Sequence, residues 1–192
     1  MNLTELSQKV HLSNINWWRD LETGLPINRN KGELLALIHS EVSEAYDGAG
    51  LFDDKLPHRK MPEVELADAV IRIFDYIGGF GYDICQAGLK CKVSNFTDLN
   101  QFARRENAEY LPIFVDYSDI HSQISKTLEL ERKGKPSSEV AESLMALLLM
   151  IFHMADELGY DMQGAFDEKM TYNAKRTDHK HEHRKADGGK KF

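Results

Sequence analysis

The chain has 192 residues, a mass of 22.0 kDa, a net charge of −7 and a pI of about 5.6. This length supports one domain or two small ones with a real core, and the acidity argues against a general nucleic-acid or anionic-membrane binder. The charge is uneven: Asn173 to Phe192 hold seven Lys/Arg against three Asp/Glu, a net of +4, so the first 172 residues carry −11.

Helical periodicity dominates, and no run shows the alternation of a strand. A first helix is predicted over roughly 4–22, stopped near Gly24 and Pro26; it lacks the basic-then-apolar layout of a signal peptide. Asn30 reads as an N-cap, with Glu33 placed for a capping box, and the second helix runs to about Gly48. A turn-rich loop, Gly48 to Met61, contains Asp53, Asp54 and Pro57. Pro62 suits the first turn of a third helix ending near Gly78. A short helix after Tyr82, ending near Asn95, carries Cys85 and Cys91. Two cysteines make no disulfide framework, and this spacing fits no zinc pattern; a reducing cytosol is the expected compartment. Residues 98–107 form a further candidate segment. A long helix over about 113–133 breaks at Gly134-Lys135-Pro136. Ser137 and Ser138 introduce the next, over about 139–158, whose apolar run Leu144 to Phe152 is too short to span a bilayer. A last helix covers roughly 161–175, and the tail is too polar to order without contacts. The expectation is an all-α, soluble, cytoplasmic protein with no membrane or nucleic-acid partner.

The two halves resemble each other. Ile38-His39-Ser40-Glu41-Val42-Ser43-Glu44 aligns with Ile120-His121-Ser122-Gln123-Ile124-Ser125-Lys126. Ile73-Phe74 then aligns with Ile151-Phe152, Gly81-Tyr82-Asp83 with Gly159-Tyr160-Asp161, and Asn95 with Asn173. The offset falls from 82 to 78 residues, a four-residue difference in the intervening loop. The chain therefore reads as a degenerate internal repeat packed as a pseudo-dimer, with an acid-bearing half over 1–97, a second half over 98–175 and a basic tail over 176–192. The plainer reading is two amphipathic helix pairs alike in composition. What differs is informative: Glu41, Glu44, Glu65 and Asp68 face Gln123, Lys126, Ser143 and Ala146. Four carboxylates in one copy have no counterpart in the other.

Glu41 and Glu44 are three residues apart and share a helix face, as do Glu65 and Asp68. Glu41 lies in line with the apolar stripe Leu34, Leu37, Ile38 and Ala45, and Asp68 sits within Leu66-Ala67-Asp68-Ala69-Val70-Ile71. The acids are therefore directed to an interior or a cleft rather than to a solvated stripe. At an effective dielectric of about 20, like charges about 4 Å apart repel by about 4 kcal/mol, so four converging acids call for protons, bases or cations. Hard oxygen donors without His or Cys favour Mg²⁺ or Mn²⁺ over zinc. Asp75, seven residues after Asp68, is an additional candidate. A diiron bundle would use Glu-x-x-His pairs; none is present here, and His39 is turned away from the acid face.

Glu41-x-x-Glu44, a 20-residue spacer and Glu65-x-x-Asp68 together resemble the paired motif of the MazG-like all-α nucleoside triphosphate pyrophosphohydrolases. The resemblance extends through Gly32 to Ala45, through Asp54-Lys55-Leu56-Pro57-His58-Arg59, and through Glu65 to Asp75. Lys169-Met170-Thr171-Tyr172-Asn173-Ala174-Lys175-Arg176 resembles the family's Lys…Tyr-Asn…Arg segment, and Gly189-Lys190-Lys191-Phe192 its ending. These segments span most of 30–84 and 166–192. In single-repeat members the third helix leads almost directly to the Lys…Asn…Arg segment. Here about 80 residues intervene, which resembles the dimeric dUTPase branch, with a catalytic and a degenerate half in one chain.

The resemblance implies a MazG-like helical bundle that hydrolyses a nucleoside triphosphate, with an unwanted deoxynucleotide as the expected substrate, to the monophosphate and pyrophosphate. It implies Mg²⁺, with Mn²⁺ as the alternative ion, held by Glu41, Glu44, Glu65 and Asp68, and Glu41 or Glu44 as acceptor of the water's proton. Lys169, Asn173, Arg176 and Lys190 would contact phosphates. Trp17 or Trp18 is a candidate for stacking on a base, at most one of them because neighbouring helical residues point about 100° apart. Asn14 and Asn16 are candidates for reading a base edge. Packing and capping are the ordinary readings of all four. Lys55, His58 and Arg59 are candidates for the entrance, and His179, His181 and His183 for a metal or a solvated tail. The chains are expected to associate as homodimers. A non-catalytic nucleotide- or metal-sensing module and a helical interaction protein are the competing readings.

Overall fold

The computed structural model describes residues 1–89, 92–103, 114–177 and 181–185. Among them are nine α-helices: α1 (Leu3–Ser13), α2 (Lys31–Asp47), α3 (Met61–Phe80), α4 (Ile84–Gly88), α5 (Phe96–Ala103), α6 (Tyr117–Arg132), α7 (Ser137–Glu157), α8 (Met162–Lys175) and α9 (His181–Lys185). One 3₁₀ turn, Ile15–Trp18, follows α1. No strand occurs among the described residues, so the all-α expectation holds. Cys91, Lys190 and His179 lie outside them.

Helices α3 and α7 form the centre. Helix α3 packs on α1, α2, α7 and α8, while α7 packs on α4, α5 and α6 as well. Both are apolar around most of their circumference, as a helix enclosed by others must be. α7 is long and apolar enough to cross a membrane by length and composition, but 72% of its most apolar window is buried inside the fold. That is the pattern of a core helix. Helices α2 and α6 also pack together, joining the α2–α3 pair to the α6–α7 pair.

The first helix is shorter than its periodicity suggests. Asn2 closes a capping box with Glu5 at its start, and α1 ends at Ser13. The chain then turns through Ile15–Trp18, and Asp20 accepts bonds from the backbone N–H groups of Glu22 and Thr23. An aspartate that bonds backbone two and three residues on favours a turn over another helical turn. Asn30 caps α2 as expected, accepting from Glu33 N at 3.1 Å. The reciprocal half of the box is replaced, because Arg29 takes the Glu33 carboxylate at 2.5 Å. Pro62 occupies the first turn of α3, and Gly81, at φ 70°, ends it in the left-handed region that glycine tolerates.

One close approach of helices is at the end of α3. A Cβ on Gly78 would meet the Ser7 carbonyl oxygen at 2.4 Å, and one on Gly79 would meet the Trp18 ring at 2.3 Å. These two glycines let α1 and the 3₁₀ turn lie against α3. They thereby place Asn14 to Trp18 beside the acid-bearing face.

Candidate metal and phosphate site

Helices α2 and α3 bring their acids to one cavity of about 200 Å³. Its walls include Glu41, Glu44, Asp68, Asn173 and Arg176, with Asn14 and Trp17 on the side of the 3₁₀ turn. Carboxylate oxygens of Glu41, Glu44 and Glu65 lie within 4.8 Å of one another. Opposed ligands of an octahedral Mg²⁺ are about 4.2 Å apart, twice the usual Mg–O distance. Three donors cannot all be opposed and adjacent ones lie about 3 Å apart, so the three carboxylates would have to draw closer to share an ion. The donor chemistry fits, since the set is all oxygen.

Two of the acids are already partnered by cations. Arg72 Nε donates to Glu41 Oε1 at 2.5 Å. Lys169 Nζ lies 2.7 Å from Asp68 Oδ2, and Lys169 is only 1% exposed. Asp68 is thus held by Lys169 and stands outside the three-glutamate cluster. Burial pushes the Glu65 carboxyl up to about 8, with Asp68, Glu41 and Glu44 adding to the rise and Lys169 opposing it. Burial likewise pushes Asp68 up against the pull of Lys169. Burial opposes the charge on Lys169, but Asp68, Glu65 and Asp53 outweigh it and its pKa is raised. These directions describe a concentration of negative charge in a place poor in water.

Asn173 supplies a further sign of an unmet demand. Its side-chain oxygen is buried and has no hydrogen-bond partner, although buried polar atoms are almost always bonded. It borders the same cavity, one helical turn from Lys169 on α8. Arg176, which ends α8, also reaches the cavity and lies over the Tyr172 ring, 5.8 Å from its centroid. Packing is thus the observed role of Tyr172.

Several candidates fall elsewhere. Trp18 is 7% exposed and packs edge-on against Phe80 and His11. Its Nε1 donates to Asp75 at 3.0 Å, so it is a core residue rather than a base platform. Asp75 also borders the cavity, but its carboxylate is occupied by Trp18 and by His11 at 2.9 Å. That makes it an anchor for α1 rather than a fifth metal donor. Lys55 reaches the cavity, whereas His58 and Arg59 both bind Glu168 on α8. Arg59 also pairs with Glu63 at 2.7 Å, so it pins the loop to two helices.

Two cavity residues were missed by sequence reasoning. Arg72 follows Asp68 by one turn on α3, a spacing that placed it on the acid face all along. Arg29 borders the cavity from just before the N-cap of α2, where helical periodicity says nothing. No family model matches the chain, and no curated protein or solved structure matches it either.

Proposed function

We propose that this chain is a Mg²⁺-dependent nucleoside triphosphate pyrophosphohydrolase of the MazG-like kind. The observation that carries the reading is the convergence of Glu41, Glu44 and Glu65 within 4.8 Å beside one cavity. The cations on its other walls support a phosphate-bearing ligand, whereas the unbonded Asn173 oxygen, an acceptor, calls for a hydrogen-bond donor or a cation. Glu41, Glu44 and Glu65 would hold the ion, and Asp68 would join them on giving up Lys169. Bound there, Mg²⁺ supplies charge neutralisation for the triphosphate and lowers the pKa of a water.

The protein's own groups divide the remaining work. Arg176 and Lys55 bind phosphate oxygens, and Asn173 orients them. Lys169, released from Asp68, follows the displaced negative charge. Arg72 holds Glu41 in place, leaving Glu44, at the exposed edge of the cluster, as the better-placed base. In the reaction a water oxygen bonds to the α-phosphorus as its proton passes to Glu44. The bond from that phosphorus to the bridging oxygen of the β-phosphate breaks, and pyrophosphate leaves with the electron pair.

We also read the chain as two copies of one unit. In such a pseudo-dimer, residues on the twofold axis touch their own counterparts. His39 and His121, counterparts in the sequence alignment, stack with centroids 4.9 Å apart. At the positions of Glu41 and Glu65, Gln123 donates to the Ser143 hydroxyl at 3.0 Å. A neutral hydrogen bond thus stands in the second copy where the first has opposed acids. The second copy is scaffold in this reading, and whole chains pair as homodimers, which a mass measured at micromolar concentration tests.

A product-resolved screen of deoxynucleoside and nucleoside triphosphates with Mg²⁺ or Mn²⁺ tests the activity. Pyrophosphate release is expected with at least one, falling about 100-fold or more in Glu41→Gln. Tight nucleotide binding without turnover would instead favour a sensing module. If neither Mg²⁺ nor any nucleotide moves the melting temperature, the interaction-protein reading takes its place.

A further inference from the structure

Arg72 stands on α3 one turn after Asp68 and borders the cavity together with Glu41, Glu44 and Lys55. A guanidinium carries five N–H donors and keeps its charge at any working pH. The Nε–H goes to Glu41 at 2.5 Å, and among the described residues Nη1 and Nη2 have no hydrogen-bond partner. Arg29 borders the same cavity but is committed elsewhere: its Nη1 donates to the Trp17 carbonyl oxygen and its Nη2 to Glu33. Lys169 is likewise committed to Asp68. The Arg72 side chain is 39% exposed, whereas that of Glu41 is 8% exposed. The pair therefore keeps its carboxylate inside and its guanidinium accessible.

In this pair one positive charge balances one negative charge. The balance is lost once Glu41 joins Glu44 and Glu65 on a divalent ion. Arg72 then stands beside a cation that has claimed its partner's charge. Two cations held that close repel unless an anion lies between them. A phosphate oxygen answers this need, because it can bond a metal ion and accept from a guanidinium at once, and a planar fork of donors matches phosphate. Asp68 and Arg72, four residues apart, share a face of α3, so the uncommitted donors serve the same space as the acids.

We propose that Arg72 is a substrate-binding residue with two tasks: its Nε–H holds Glu41 for the ion, and its Nη groups donate to a phosphate oxygen of the triphosphate on that ion. The proposal rests on the nucleotide reading above and adds to it a phosphate contact that the resemblance does not include. Phosphate is then gripped from two sides, by α8 and by the acid-bearing helix α3 itself. Metal and phosphate favour each other in this arrangement, since an ion without phosphate leaves Arg72 facing it with no anion between, and such coupling is reciprocal. The ordinary alternative is that Arg72 does no more than neutralise Glu41.

The test uses the full-length chain and inorganic tripolyphosphate, a probe with phosphates and no base, bound at saturating Mg²⁺ and measured by calorimetry. Mn²⁺ binding without phosphate, read by electron paramagnetic resonance, reports the metal site alone. Arg72→Ala should weaken tripolyphosphate at least tenfold and change Mn²⁺ affinity less than threefold, because losing the anchor of Glu41 and losing a competing cation act in opposite directions. Arg72→Lys keeps the charge but not the fork and should recover only part of the loss. Should Arg72→Ala fail to fold, Arg72→Gln, which keeps an amide donor for Glu41 without the charge, should give the same selective loss. The proposal is overturned if tripolyphosphate binding is unchanged, if Mn²⁺ weakens by the same factor, if lysine restores full affinity, or if wild type does not bind tripolyphosphate. Turnover of nucleotides, measured separately, decides the hydrolase reading. The selective loss without turnover of any nucleotide would sink that reading alone, and turnover with tripolyphosphate binding unchanged in Arg72→Ala would sink the Arg72 contact alone.

Discussion

Glu65 lies 3% exposed among Asp68, Glu41 and Glu44, with its carboxyl pushed up to about 8 by burial. In the unfolded chain it releases its proton near pH 4.5. Between these two values the folded state holds the extra proton, so stability falls as pH rises through the window. Glu65→Gln removes this penalty while removing a proposed metal donor. In EDTA at pH 8 the variant should melt about 2–4 °C above wild type, the response of a domain this size to a gain on the order of 1 kcal/mol. The advantage should disappear near pH 4.5, and turnover should be lost. A variant no more stable than wild type at pH 8 would show that Glu65 carries no such strain. This trade of stability for a charged site is common where function needs converging acids.

At the scale of elements, α3 depends on its two consecutive glycines. Alanine has the higher helix propensity by about 1 kcal/mol, so propensity alone predicts that Gly79→Ala stabilises the chain. Packing predicts the reverse, because the new Cβ would sit 2.3 Å from the Trp18 ring. Overpacking of that kind costs about 1–3 kcal/mol, and displacement of Trp18 would also break its bond to Asp75. Gly79→Ala should therefore lower the urea midpoint and weaken nucleotide binding, through movement of the adjacent Trp17. An unchanged or higher midpoint would mean that the turn shifts without cost. The chain beyond α1 follows the same logic: local bonds made by Asp20 favour a turn at 20–23 where periodicity extends a helix, and side-chain periodicity does not register them.

Across the whole molecule, the α2–α6 junction carries a titratable pair. His39 and His121 approach to 2.7 Å between their Nδ1 atoms, a hydrogen bond that requires one ring to offer a lone pair. Burial lowers both pKa values, and the two rings repel when charged, lowering His39 further. Below about pH 6.5 the unfolded histidines take up protons that the folded pair resists, so stability is lost as pH falls. Wild type should lose more melting temperature between pH 7.5 and 5.5 than the His39→Gln/His121→Gln variant. Equal losses would remove this pair as the source of acid sensitivity.

Helix order, the N-cap at Asn30 and the shared faces of Glu41, Glu44, Glu65 and Asp68 follow from spacing, because a helix places residues three and four apart on one side whatever surrounds it. The roles of Trp18 and Asp75 do not. Both look available in sequence, and only the packing of α1 on α3 makes them a buried hydrogen-bonded pair. Arg184 is the extreme case, a charged residue in a polar segment, 1% exposed with its guanidinium over the ring of Trp17, 167 positions earlier. The sequence by itself determined the helical class and the two acid pairs, since both arise from local periodicity. Which acids converge, which cations already hold them and where the tail docks were decided by the tertiary structure, since each depends on contacts between distant elements and on the desolvation those contacts impose.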